Sequence, residues 1–108
     1  MSPRTLRPLV EISRLMLDHR LAALTRAAAA REESKARLAG LSQPPGTTDL
    51  PLAVAAQAGL LYERWAEARR AEINLTLARQ TAEWIEARDE AQRAFGRADA
   101  LRRLSDRG

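Results

Sequence analysis

Cysteine is absent from the 108-residue chain, which excludes disulfides, thiolate nucleophiles and cysteine-held metals. Aromatic residues make up only 4%. Much of the 45% hydrophobic share is alanine, the best helix former but a side chain that buries little surface. Long helices are therefore favoured over a large rounded core. No apolar run approaches the roughly 18–20 residues that span a bilayer. Glu11 and Asp18 interrupt the first twenty residues, so no signal-type apolar segment is present. The sequence predicts a soluble, unprocessed, cytoplasmic chain of one domain.

Charge is plentiful but mixed. Eighteen basic residues stand against 14 acidic ones, for a net +4, and every basic residue except Lys35 is arginine. A GC-rich genome accounts for such a bias on composition alone; a preference for acidic partners or nucleic acid is the functional alternative. No single basic stripe stands out along either predicted helix, although Arg4 and Arg7 form a small basic arm.

Helix breakers cluster in one place. Between Ser42 and Pro51 the chain reads Ser-Gln-Pro-Pro-Gly-Thr-Thr-Asp-Leu-Pro, and residues 8–41 and 50–104 on either side hold few breakers. Pro8 suits a first helical turn, where its missing N–H costs nothing, and Gly40 marks a C-terminal stop. Asp49, with Thr48 as the alternative, is the expected N-cap of the second helix. The predicted fold is all-α: an antiparallel two-helix coiled-coil hairpin with helix 8–41, turn 42–49 and a longer helix 50–104. Two helices bury little by themselves, so dimerisation or a partner is expected.

Positions 52, 56, 59, 63, 66, 70, 73, 77, 80, 84, 87, 91, 94, 98 and 101 alternate spacings of four and three and are mostly apolar, which is a heptad seam. Val10, Leu17, Leu21, Leu24, Ala28 and Leu38 offer the matching stripe on the first helix. At ~1.5 Å per residue the two helices differ by some 30 Å. Folding back at the turn would then leave roughly the last 20 residues of the second helix unpaired. That overhang carries Ala87, Ala91, Phe95, Ala98 and Leu101.

Chemistry-bearing constellations are missing. His19 is the single histidine, without a second ligand one helical turn away. The five glycines are scattered rather than gathered into a phosphate-cradling loop, although Gly59 and Gly96 inside the second helix are candidate close contacts or bends. Carboxylates such as Glu33, Asp89 and Asp99 have arginines one turn on. Arg70 on the seam matches one member of an anion site, with no accompanying motif. No catalytic, metal or cofactor residue is assigned, and the chain is expected not to be an enzyme. The candidate protein-binding residues are Phe95 and Leu101 on the overhang and Leu61, Trp65 and Leu75. With Ala68 and Ala82, the last three form an apolar line off the seam. This line can pack within a homo-oligomer or against a shifted first helix, or it can dock a different protein, where exposed tryptophan is enriched.

The stretch Trp84-Ile-Glu-Ala-Arg-Asp-Glu-Ala-Gln-Arg-Ala-Phe-Gly-Arg-Ala-Asp-Ala-Leu-Arg-Arg-Leu, in an Arg/Glu/Ala/Leu-rich hairpin with a longer C-terminal helix, resembles the coiled-coil hairpins of the FliJ/YscO family. These belong to flagellar and type III secretion export. The resemblance implies a cytoplasmic stalk that docks on a hexameric export ATPase and on the export gate, coupling hydrolysis to substrate delivery without hydrolysing ATP. A general helical adaptor or oligomerisation module is the alternative. Nucleic-acid binding is a weaker expectation, because base-reading helices gather their basic residues on one face.

Overall fold

The computed structural model describes residues 3–42 and 49–107. It consists of two helices, α1 (Pro3–Gly40) and α2 (Leu52–Arg107). The hairpin with a longer second helix is thus the observed fold, and no strand occurs among the described residues. The chain divides into two units. One comprises Met1–Ala29 with Thr81–Gly108, the other Ala30–Gln80.

Helix boundaries differ from the expected ones for identifiable reasons. α1 begins five residues before Pro8, and Pro3 takes the first helical position, where a proline is tolerated. Pro8 lies inside the helix and denies the Arg4 carbonyl its i+4 donor. The extra turn brings Leu6 to 2% exposure, a burial that offsets that loss. Gly40 has no positive φ, so it does not act as a left-handed cap. Instead, α1 closes through tightened bonds from Leu41 N–H to Leu38 O (3.1 Å) and from Ser42 N–H to Ala39 O (3.2 Å). In α2 the Ala55 N–H reaches Pro51 O at 2.8 Å. Pro51 therefore occupies the cap position, and Asp49 lies outside the helix. Thr48 and the rest of 43–48 fall outside the described residues.

Burial confirms the α2 seam from Ala66 onward and corrects it before that point. Ala66, Ile73, Ala91 and Ala94 are buried, while Arg70, Leu77, Gln80, Trp84, Ala87, Ala98 and Leu101 are half-buried. Leu52, Ala56 and Glu63 are exposed, and Tyr62 takes the inward place expected of Glu63. On α1 an unbroken alternation of four and three runs inward through Leu6, Val10, Ser13, Leu17, Arg20, Leu24, Ala27, Arg31, Ser34, Leu38 and Leu41, and the expected Ala28 is half-buried beside it. Leu21, assigned to the stripe by its hydrophobicity, is 45% exposed. Four of the eleven true positions are polar, which hid the period.

In the unit formed by Ala30–Gln80, Leu41, Ala66 and Ile73 make the core, and Leu38 and Tyr62 pack against it. Ser34 is 3% exposed and donates to Gln80 Oε1 at 2.5 Å, so its hydroxyl is satisfied in the seam. In the other unit, Leu6, Ala91 and Ala94 are buried beside Ser13, whose hydroxyl donates to Val10 O at 2.8 Å. Across the same seam Arg20 Nη1 donates to Glu90 Oε2 at 2.6 Å. Arg88 lies 5.1 Å from the centre of the half-buried Trp84 ring, which covers part of the indole with a cation.

The expected overhang is not where arithmetic placed it. Ala91 and Ala94 are buried, and Leu101 shares a groove with Leu9 and Ile12 of α1, so the last turns of α2 are paired. Leu41, at the end of α1, packs with Tyr62 and Ala66, which puts the surplus length at the start of α2. There Leu52 is 89% and Leu60 66% exposed. The arithmetic had assumed a reversal with α2 paired from its first residue.

Gly59 and Gly96 are neither close contacts nor left-handed sites, because a Cβ added at either meets nothing within 4 Å. Each Gly→Ala change is expected to stabilise by about 1 kcal/mol through helix propensity alone, read as a higher Tm. Ser34→Ala should cost about 1–2 kcal/mol by stranding the Gln80 amide, and adding Gln80→Leu should recover most of it. Chemical denaturation of the single and double variants checks both values.

Candidate protein-docking surfaces

Large apolar side chains outside the seam are the most prominent feature of both units. Among the described residues six apolar side chains are buried, three of them alanine, while fifteen large ones are exposed. Scattered exposed leucines are ordinary; aligned ones form a surface.

In the unit formed by Ala30–Gln80, Leu61 (60%), Trp65 (56%) and Leu75 (76%) are all exposed, as their displacement from the seam requires. Trp65 is held in place from beneath. Its ring centroid lies 5.7 Å from that of Tyr62, with the planes tilted by 44°, a separation within the range of favourable aromatic pairs. Tyr62 is itself half-buried against the core, and its hydroxyl donates to Leu41 O at 3.4 Å. The indole thus stands on a phenol tied to the first residue beyond α1. Arg69 Nη1 and Glu72 Oε2 pair at 3.0 Å one turn further on. A large, semi-rigid ring with aliphatic neighbours and a charged rim matches the anatomy of a protein-binding hot spot.

In the other unit, Phe95 and Leu101 are not free ends but members of two grooves between the helices. Leu101 lines a groove of about 400 Å³ with Leu9, Ile12, Met16, Ala94 and Ala100. Phe95, 60% exposed, lines a second one of about 270 Å³ with Val10, Leu17 and Ala98. Sequence reasoning placed Val10 and Leu17 on the α1 stripe but did not assign Leu9, Ile12 and Met16. Starting the first helix at Pro8 and its pairing at the turn left residues 92–108 without a partner on α1. The 4–3 spacing of Leu9, Ile12 and Met16 was the available signal.

Charged groups near these grooves are solvated. Asp99 accepts from Arg102 Nη2 at 2.9 Å and pairs with Arg103 Nε at 3.1 Å. The hydrogen bond to Asp99, followed by its charge, raises the Arg102 pKa above its ordinary value, so that guanidinium is a fixed cation. His19 is exposed on a shallow patch with Ile12, Leu15 and Met16. No three His, Asp or Glu side chains converge on a metal-sized site among the described residues, and no helix among them is long and apolar enough to cross a membrane.

Comparison with family models, curated proteins and solved structures finds no match for this chain. The candidate surfaces therefore rest on geometry alone.

Because Trp65 contributes surface rather than core, Trp65→Ala should leave the far-ultraviolet circular dichroism unchanged and lower stability by no more than about 1 kcal/mol. Ile73→Ala, which empties a buried position, should cost about 2–4 kcal/mol. Parallel thermal melts of the two variants measure the difference.

Proposed function

We propose that the chain is a non-enzymatic, cytoplasmic coiled-coil stalk of a flagellar or type III export apparatus, linking the export ATPase to the export gate. One observation carries this proposal: each of the two units has its own uncovered apolar surface on the same pair of helices. A part that joins two partners needs two contact surfaces, and a helical hairpin supplies them without a large core. The Trp84–Leu104 resemblance to FliJ/YscO hairpins supports the choice of apparatus. The paired ends of both helices, rather than a single overhanging helix, then present Phe95 and Leu101 to one partner, and Leu61, Trp65 and Leu75 face the other.

Export ATPase and the cytoplasmic part of the gate protein, each purified, provide the test by titration against the full chain. Both should bind, and the chain alone should hydrolyse no ATP. Trp65→Ala should weaken one interaction by about thirtyfold, the equivalent of ~2 kcal/mol, and leave the other intact. Binding to neither protein would refute the export assignment.

A homo-oligomerising adaptor is the second reading. The excess of exposed over buried large apolar side chains favours it, because two such hairpins can close as a four-helix bundle. Analytical ultracentrifugation separates the two readings. An adaptor sediments as a dimer that Trp65→Ala dissociates, whereas a stalk remains one copy and binds its partners.

A further inference from the structure

The region that joins the start of α1 to the finish of α2 holds the whole positive excess of the chain. Residues 3–14 and 93–107 contain eight arginines against Glu11, Asp99 and Asp106, a side-chain balance of +5; the full chain carries +4. Asp99 and Asp106 are already engaged by Arg102 and Arg103. Among the described residues Arg4, Arg7, Arg14, Arg93, Arg97 and Arg107 have no carboxylate within ion-pair distance.

Within this basic region lies the 400 Å³ groove, lined by one arginine, Arg97. Its walls are Leu9, Ile12 and Met16 on one helix and Ala94, Ala100 and Leu101 on the other, with Arg97 at its edge. The only other polar side chain lining it is Ser13, and that hydroxyl is spent on Val10 O. An apolar floor calls for an apolar occupant, and Arg97 in a region of net +5 calls for carboxylates beside it. A trough between two helices accepts the ridge formed by side chains at i, i+3, i+4 and i+7 of a third helix. A second copy of this chain would set +5 against +5, and like charges facing one another oppose docking. Nucleic acid would answer the arginines but leave the aliphatic floor wet. A bilayer would need a protruding apolar face rather than a recess.

We infer that this groove docks an acidic amphipathic helix of a partner protein. The inference goes beyond the export assignment and does not depend on it.

A synthetic peptide of about 18 residues, five helical turns, provides the probe, with leucine along one face and glutamate elsewhere. A matched peptide carries lysine for every glutamate. Fluorescence anisotropy with the full chain should show binding of the glutamate peptide that weakens as salt rises, and at least about a hundredfold weaker binding of the lysine peptide. Ile12→Ser and Arg97→Glu should each weaken the glutamate peptide by about tenfold or more, with helicity unchanged. Arg37→Glu, which reverses a charge in the other unit, should have little effect. Equal affinity for the two peptides, binding of neither, or indifference to Ile12→Ser would overturn the inference. So would preferential binding of duplex DNA or of phosphatidylserine vesicles by the same surface. Dissociation of a homodimer by Ile12→Ser would assign the groove to a second copy instead.

Discussion

An alanine-lined seam can slide. Buried alanines on α2 present little relief to the leucines of α1, and a shift by one heptad along α2 would replace Ala91 and Ala94 with Ala98 and Leu101. Polar pairs remove that freedom. Ser34 meets Gln80 at 2.5 Å in one unit, and Arg20 meets Glu90 at 2.6 Å in the other. A register that separated Ser34 from Gln80 would leave a hydroxyl in the seam without its acceptor, a penalty of about 1–3 kcal/mol. The Arg20–Glu90 pair is partly exposed, so its direct contribution is small; its value lies in specifying which turn faces which.

Everything outside the seam follows from what the seam declines to hold. Several inward positions go to small or polar side chains, at Ser13, Arg20, Arg31, Ser34, Ala66, Ala91 and Ala94, while large aliphatic and aromatic ones stand outward at Leu9, Ile12, Leu61, Trp65, Leu75 and Phe95. Polar pairs align the seam, and large apolar side chains stand exposed outside it.

Two helices, the breaker cluster and the α2 seam beyond Ala66 were legible because they depend on local chemistry: propensity, proline and a sustained period. The α1 seam was not, since hydrophobicity cannot flag Ser13, Arg20, Arg31 and Ser34 as inward-facing. Their places become evident only against Ala94, Glu90 and Gln80, which lie far away in sequence. The start of α1 was misplaced because two prolines, Pro3 and Pro8, both fit a first turn, and the burial of Leu6 decides between them. Leu61, Trp65 and Leu75 were found as an off-seam line by spacing alone. Phe95 and Leu101 were attributed to an overhang, because chain-length arithmetic cannot tell which end of a longer helix is left over.

Tyr62 touches both the inside and the outside of its unit. Its ring packs on the core, its hydroxyl reaches the carbonyl of Leu41, and its face supports Trp65. A ligand that recognises the indole only in this supported pose discriminates between a zipped and a frayed α1 terminus. Thermodynamic reciprocity then requires occupancy of Trp65 to tighten the last turn of α1, by about 2.7 kcal/mol when the ligand is present at a hundred times its Kd. For such a ligand, closure of the α1 terminus and binding at Trp65 would be linked through Tyr62.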